Sequence, residues 1–475
     1  MLSLFLAFLG IFLNSNVFIL ADYFVFQGDL MVDGLFDVAI IGSGPAGLWA
    51  AEELVAQKPS LKVAIFEKNA FSSGGLINDC KLNLTHKIGM DLEELKLSER
   101  EAEKLIAWVD GKFLKFGADK NVSGTDDAEV KRWVDRAARC DVELIACRQR
   151  HIGTDKASLI VKAYKDELEK KKVKFFMKTE ITDIKKKDNM FLLESSAGTF
   201  EARFVLCAPG RDGAYWLREL AGKLGIKYKW SAVDIGVRLE VLKEVYDPIT
   251  DVIYDPKFIL TTKCHGDRVR TFCTNPGGQV RLEPKNGKGF FLVNGDALKE
   301  KKTKNTNFAI LNTIDLTKPY GDTTEMARSI ATETNRLGGG MPIVQRMGDF
   351  LAGRRSKMET FFDKAKGYDV LEPTLNPGVQ VIPGDISLAF RARIMDNLAE
   401  AFDRLDRIVP GVAHPSTLIY APEIKFYDTK YRTDDNLETS LSGFFVAGDG
   451  AGKSRGIVGA AITGIIAARG VLKKI

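Results

Sequence analysis

The chain has 475 residues, 45% of them hydrophobic and 28% charged, with a formal net charge of +5. That length exceeds what one small core needs and predicts two interleaved domains. A charge so small for the length argues against a nucleic-acid surface, and the short lysine runs at 170–172, 185–187 and 301–302 read as solvated helix ends and hairpin tips.

Six cysteines (Cys80, Cys140, Cys147, Cys207, Cys264 and Cys273) lie far apart with no C-x-x-C pair, and there are only four histidines. This pattern argues against a disulfide scaffold, a zinc site or a His-rich metal centre, and for a reducing, cytoplasmic setting. Residues 1–30 do not match the rest. Positions 2–26 are almost continuously apolar, yet no lysine or arginine precedes Lys58, so the basic flank of a signal peptide or an oriented anchor is missing. The preferred reading is an upstream extension outside the fold, since Met31 sits just ahead of the first strand. The alternative is a membrane anchor, which would bring membrane contact.

Residues 36–41 (Phe-Asp-Val-Ala-Ile-Ile) read as a buried strand that runs into Gly42-Ser43-Gly44-Pro45-Ala46-Gly47. A helix starts near Pro45, and a second apolar run, 62–67, ends in Glu67 about 20 residues past the last glycine. Each part has a task in binding a dinucleotide. Gly42 permits the tight turn, Gly44 lets the backbone approach a pyrophosphate, and Gly47 lets the helix pack on the strand. The helix start offers free N–H groups and a positive dipole end to phosphates, and Glu67 can accept from ribose hydroxyls.

After a glycine-bearing loop at 71–85, residues 91–116 read as a helix within a helical insertion, 91–150. Residues 157–171 form an amphipathic helix. Strands at 173–177, 181–184, 190–194 and 199–207 make a meander ending in Ala208-Pro209-Gly210. The middle is less regular. Strands are expected at 233–241, 269–274, 279–283 and 289–293, and helices at 324–336, 342–351 and 391–402. A last strand at 443–448 leads into Gly448-Asp449-Gly450 and a helix over 457–472.

The late Gly-Asp segment decides which dinucleotide fits. FAD lies extended and needs a second contact region, where Asp449 would bind a ribityl hydroxyl while the N–H groups opening the last helix face the flavin pyrimidine edge. Asp449 would equally serve as a cap for that helix. The strand ending in Ala208 and Gly210 marks where the chain leaves the nucleotide domain. No second Gly-x-Gly-x-x-Gly follows in the middle, so NAD(P)H, if used, would visit the flavin only transiently.

These residues resemble the FAD-dependent oxidoreductases with a discontinuous nucleotide domain, and more narrowly the uncharacterised FAD-dependent dehydrogenases called NAD(FAD)-utilising dehydrogenases. The narrower likeness rests on 74–82, 150–155, 233–238, 270–278, 293–295, 305–307 and 448–457, and spans about 34–472. Two positions depart from the bacterial pattern. Cys80 stands where glycine is common, and Asn275 stands where a second cysteine is common after Cys273, which puts a paired-thiol mechanism in doubt.

The resemblance implies an α/β fold: a discontinuous FAD/NAD(P)-binding Rossmann-like three-layer domain (34–90, 151–225 and 430–475) with an inserted mixed α+β substrate domain (226–429). It also implies non-covalent FAD and a small-molecule substrate, with no nucleic acid. Lys68, Gly74, Gly75, Gly456 and Ile457 join the residues above as expected cofactor contacts. Catalytic candidates are Cys273, in a strand entering a sharp turn; His151, as acid or base or as a helix cap; and Arg455, beside the flavin or simply solvated. Cys273 would equally be a buried structural thiol. Three rival readings stay open: a polyprenyl reductase of the geranylgeranyl-reductase type, a tRNA-modifying flavoenzyme, and a non-enzymatic binding protein that keeps the fold.

Overall fold

The computed structural model describes residues 32–71, 75–78, 80–284, 289–297, 302–315, 322–426 and 429–475. The hydrophobic extension 1–30 and Gly74 lie outside them. Among the described residues no helix is long and apolar enough to cross a membrane.

The first strand, Val32–Ile41, is flanked by two parallel neighbours, Val63–Glu67 and Gly198–Cys207. From Val38 to Ile41 it is buried on both faces, which is why it reads as a continuous apolar run rather than an alternating one. Lys174–Met177 extends the sheet parallel to Val63–Glu67. Along its other edge Gly198–Cys207 is shared between two partners. Its first half pairs antiparallel with Met190–Ser195, and its last residues pair parallel with Phe444–Val446. The sheet has seven strands, Ile181–Lys187 being the outermost on the meander side.

Two helices lie together on one face of this sheet: Pro45–Gln57, opened by a proline in its first turn, and Gly456–Leu472. The second is rich in Gly and Ala, and a Cβ at Gly464 would stand 2.0 Å from the Ala46 carbonyl oxygen. The helices therefore touch backbone to backbone. Glu52 and Glu53 are buried in this layer, balanced by Lys112 and Lys171 on Glu52 and by Arg469 on Glu53, each at 2.7 Å. The short helix Ala214–Lys223 packs on the opposite face and completes the third layer.

A second sheet of eight strands holds most of the middle of the chain. Its order is Ile382–Pro383, Ile343–Arg346, Leu418–Lys425, Val233–Leu242, Asn305–Ile314, Arg268–Asn275, Lys257–Thr261 and Glu143–Ile145. The central strand Val233–Leu242 shows why this sheet has two unlike faces. Val233, Ile235, Val237, Leu239 and Val241 join a core with the helices Thr323–Leu337 and Ala392–Ile408. Asp234, Arg238 and Glu240 point the other way and are nonetheless buried.

Three expectations shift. Residues 91–98 are turn, and the helix is Glu99–Lys115, started by a capping box in which Ser98 and Glu101 bond each other's backbone N–H groups. The expected helix at 342–351 is a strand, Ile343–Arg346, followed by a short helix, Met347–Leu351. Ile343 and Val344 fit a pleated sheet beside Tyr420 and Ala421, and that pairing outweighs the helical spacing. Leu418–Lys425 is a strand no pattern suggested, because Pro422 argues against an interior strand. The ladder accommodates it with a register shift between Gly236 and Arg238.

Gly464→Ala should lower stability by about 1–3 kcal/mol, because the added methyl must push the two helices apart. A thermal melt compared with Gly222→Ala, where a Cβ meets nothing within 4 Å, separates this clash from a generic glycine effect.

Candidate active site

One groove of about 840 Å³ runs between the two sheets. At one end it is lined by Gly42, Gly44, Pro45, Ala46, Glu67 and Lys68. It passes Ala208, Gly210, Gly448 and Asp449, and its far part lies under the polar face of the eight-stranded sheet, where Phe272 and Cys273 open on it. The two chain ends thus border a single cleft.

The cleft is narrow-walled because backbone meets backbone behind it. Gly42 has φ +98°, and a Cβ there would sit 2.3 Å from the Ala208 carbonyl oxygen. A Cβ at Gly450 would come within 2.1 Å of the Gly210 carbonyl oxygen, and one at Gly47 within 2.0 Å of the Gly42 carbonyl oxygen. The helix Pro45–Gln57 has no side-chain cap and no acidic residue in its first turn, so its positive end faces the groove uncompensated. The helix Gly456–Leu472 likewise has no acid in its first turn, and Gly456 and Ile457 line the groove.

Glu67 is almost fully buried and held from both sides. Ser43 donates to one oxygen through its backbone N–H (3.1 Å) and its hydroxyl (2.8 Å), and Asn69 donates twice to the other. Asp449 accepts from the Ser454 hydroxyl at 2.9 Å and from the Gly456 N–H at 3.1 Å, so it does cap the last helix while also lining the groove. Burial raises the Asp449 carboxyl above its ordinary range, against the opposing pull of Arg211 and Arg455. Arg455 lines the groove, and its N–H donates to the Gly89 carbonyl, tying the loop around Gly89 to the start of the last helix.

Cys273 sits where its strand departs from regular pairing. The ladder to Asn305–Ile314 shifts register between Phe272 and Asn275, and Cys273 has φ +52°, a strained value for a residue with a side chain. The buried Lys81 ammonium lies 3.6 Å from Sγ and donates to the Thr274 carbonyl at 2.5 Å and to Asn275 Oδ1 at 3.1 Å. Behind the bend, fully buried Arg238 grips both oxygens of Glu423 at 2.7 and 2.8 Å and donates to the Cys273 carbonyl and to Asn307. Asp255 completes the cluster. It pairs with Lys257 at 2.5 Å and Lys81 at 3.6 Å, and accepts from the Thr274 N–H at 2.8 Å.

Of the other sequence candidates, Gly75 lines the groove, whereas Ser43 and Gly47 act behind it. His151 is not among the lining residues. Its ring stacks on Tyr254 at 4.8 Å, and the helix after it, Thr154–Lys170, is capped at Gly153 with no side-chain bond. Cys80 is buried with φ +54°, a backbone state that glycine adopts more readily, and its thiol donates to the Leu76 and Ile77 carbonyls. Asn275, the other departure, occupies the ground beside the Cys273 sulfur, with Nδ2 at 3.8 Å. Sequence reasoning passed over Lys81, Asp255 and Lys257. The signal for Lys81 was a lysine inside the apolar run Cys80-Lys81-Leu82; nothing local marked the other two.

Two family models match end to end. One, described as FAD dependent oxidoreductase, matches residues 37–235; the other, described as FAD-dependent protein, C-terminal domain-like, matches 233–425. The chain belongs to the FAD-dependent oxidoreductases. An uncharacterized protein of Clostridium beijerinckii is 24% identical over 464 residues, covering 92% of this chain and 80% of that one. Among solved structures, glycine oxidase from Geobacillus kaustophilus is similar at 15% identity, covering 92% of this chain and 95% of that one with a TM-score of 0.41. L-proline dehydrogenase from P. horikoshii is similar at 14% identity, 93% and 94% coverage and a TM-score of 0.40.

FAD is the cofactor of this family, and the residues present fit it. Two helix starts stand along the groove, that of Pro45–Gln57 with no side-chain cap and that of Gly456–Leu472 held by Asp449, and the close approach of Gly42 to the Ala208 carbonyl leaves no room for a Cβ on the groove there. Among the described residues no group of three or more His, Cys, Asp or Glu side chains could hold a metal ion.

Burial opposes the charge of Asp255, but Lys257, Lys81 and the Thr274 N–H more than offset it and hold the carboxyl down at about 2. A depressed acid stabilises the fold above its unfolded value of 3.8, and that contribution is lost as pH falls from about 4 to about 2. The amount is on the order of 2 kcal/mol. Asp255→Asn should melt lower than wild type at neutral pH, and the gap should narrow through that acid window. Melts across the pH series measure it; a gap independent of pH would contradict the assignment.

Proposed function

We propose that this FAD-dependent oxidoreductase holds its FAD non-covalently along the groove and passes two electrons between it and a small organic substrate lying under the eight-stranded sheet. The reductant in this reading is a reduced nicotinamide that visits transiently, or a partner protein. The observation that carries it is the continuity of one cleft from the Gly42 turn and Glu67, past Asp449, to Cys273.

In this reading the start of Pro45–Gln57 faces the pyrophosphate, where its dipole and N–H groups favour anions. Ser43 fixes the Glu67 carboxylate so that it can meet a ribose, and Asp449 meets the ribityl chain while keeping its bond to Gly456. The first turn of the last helix, at Gly456 and Ile457, lies against the ring system, with Arg455 beside it. When bound, the flavin supplies the hydride chemistry. The protein supplies position, exclusion of water by the covering sheet, and a proton route. Cys273 puts a thiol on the groove wall, with the buried Lys81 ammonium 3.6 Å from its sulfur, so that a proton can pass to or from the substrate there. His151, stacked on Tyr254 away from the lining, supports no direct step.

Purified protein should be yellow with a flavin spectrum, and NADH or NADPH added without air should bleach it if a nicotinamide is the donor. Asp449→Ala should weaken FAD retention by roughly tenfold or more, the loss of a bond to a charged group. Full FAD occupancy in that variant after gel filtration would remove Asp449 from the cofactor site.

A further inference from the structure

The sheet face that roofs the groove is cationic. Alternation along Arg268–Asn275 brings Arg268, Arg270 and Phe272 to one side of the strand. The Phe272 ring stands within reach of three cations: Arg270 at 4.9 Å, Lys257 at 5.1 Å and Lys425 at 5.3 Å from its centroid. Each of these is matched inside the protein, Arg270 by Asp234, Lys257 by Asp255 and Lys425 by Glu423. They make the roof polar and rigid without calling for a ligand.

Two other guanidinium groups on the groove differ. Arg281, on the strand Gln279–Pro284, and Arg328, on the helix Thr323–Leu337, both line it. Neither forms an ion pair among the described residues, and the Nε–H of each is buried with no hydrogen-bond partner. Arg328 lies over the Tyr215 ring at 5.4 Å, a contact that steadies the cation without using that donor. A guanidinium that lines a groove with no carboxylate paired to it among the described residues suits an anionic acceptor there. The two arginines stand on two separate elements, and each brings its own guanidinium to the groove.

We infer that the substrate is a small acid with two anionic ends, a dicarboxylate, one end bonded by Arg281 and the other by Arg328. The inference rests on the flavin reading only in placing that substrate in the same groove. Each arginine acts on the bound acid as a neutralising, bidentate donor, and the reacting carbon is held between the two ends.

The test is a calorimetric titration of the purified full-length protein with malonate, succinate, glutarate, acetate and inorganic phosphate at constant ionic strength. At least one dicarboxylate should bind roughly tenfold or more tightly than acetate and phosphate. Arg281→Gln and Arg328→Gln should each weaken that binding by roughly tenfold, with unchanged melting temperature and unchanged FAD content. Acetate or phosphate binding as tightly as every dicarboxylate, or no dicarboxylate binding to the wild-type protein, overturns the inference. So does loss of FAD in either variant with dicarboxylate affinity intact, because the guanidinium would then serve the cofactor. Calorimetry needs no flavin absorbance. A colourless protein that still binds a dicarboxylate therefore sinks the flavin reading alone, and a yellow protein that binds none sinks this one alone.

Discussion

Behind the groove three passages of backbone meet with no side chain between them: the turn after the first strand, the turn after Gly198–Cys207, and the turn after Phe444–Val446. Gly42 lies against Ala208 and Gly450 against Gly210, and the helices that follow two of the turns meet at Gly464 and Ala46, each at a distance that leaves no room for a Cβ. Because these turns follow parallel strands of one sheet, their approach puts two helix starts on the same side of the cleft. A binding groove for an extended anionic coenzyme follows from that packing with little help from charged side chains. It also explains the many glycines and alanines of the last helix, since Gly456–Leu472 lies directly on the helix Pro45–Gln57.

The covering sheet works by the opposite means. The side of this sheet turned away from its helices buries charged groups, several paired at short range, Arg238 with Glu423, Asp255 with Lys257 and Lys81, and Asp234 with Arg270, while Glu240 is held by hydrogen bonds from Asn305, Thr374 and Tyr420. Buried pairs of this kind add little net stability, because desolvation cancels much of the attraction, yet breaking one is severe. What they secure here is a shape. Arg238 and Asn275 both hold the carbonyl of Cys273, and Lys81 holds the carbonyl of Thr274, so the strained bend at Cys273 is gripped at both peptide units. A bend costing on the order of 1–3 kcal/mol persists only where its surroundings over-determine it.

The elements of the nucleotide side were legible because each has a local cause. Gly42 has a positive φ, Pro45 opens a helix, and a short apolar run such as 36–41 that ends in a glycine turn reads as a strand buried on both faces. The capping box Ser98–Glu101 was equally local, and a closer reading of those four residues would have set the helix start at Glu99. The covering sheet was less legible. Pro422 hid a central strand, since the register shift that tolerates it depends on Val233–Leu242, nearly two hundred residues earlier in the chain. Ile343–Arg346 read as helix because its strand state comes from pairing with Leu418–Lys425 rather than from its own spacing.

The same division separates the site residues. Glu67, Asp449 and the glycines could be picked out one by one, because a turn, a strand end and a helix start are short-range features that a few neighbouring residues specify. That Cys273 stands beside Lys81, that His151 turns to Tyr254 instead of the groove, and that Arg281 and Arg328 share a cleft were decided only by tertiary packing. Hydrogen bonds and ion pairs act over a few ångströms, whereas the residues that make these contacts lie tens to hundreds of positions apart. Only the closed fold brings them within that range.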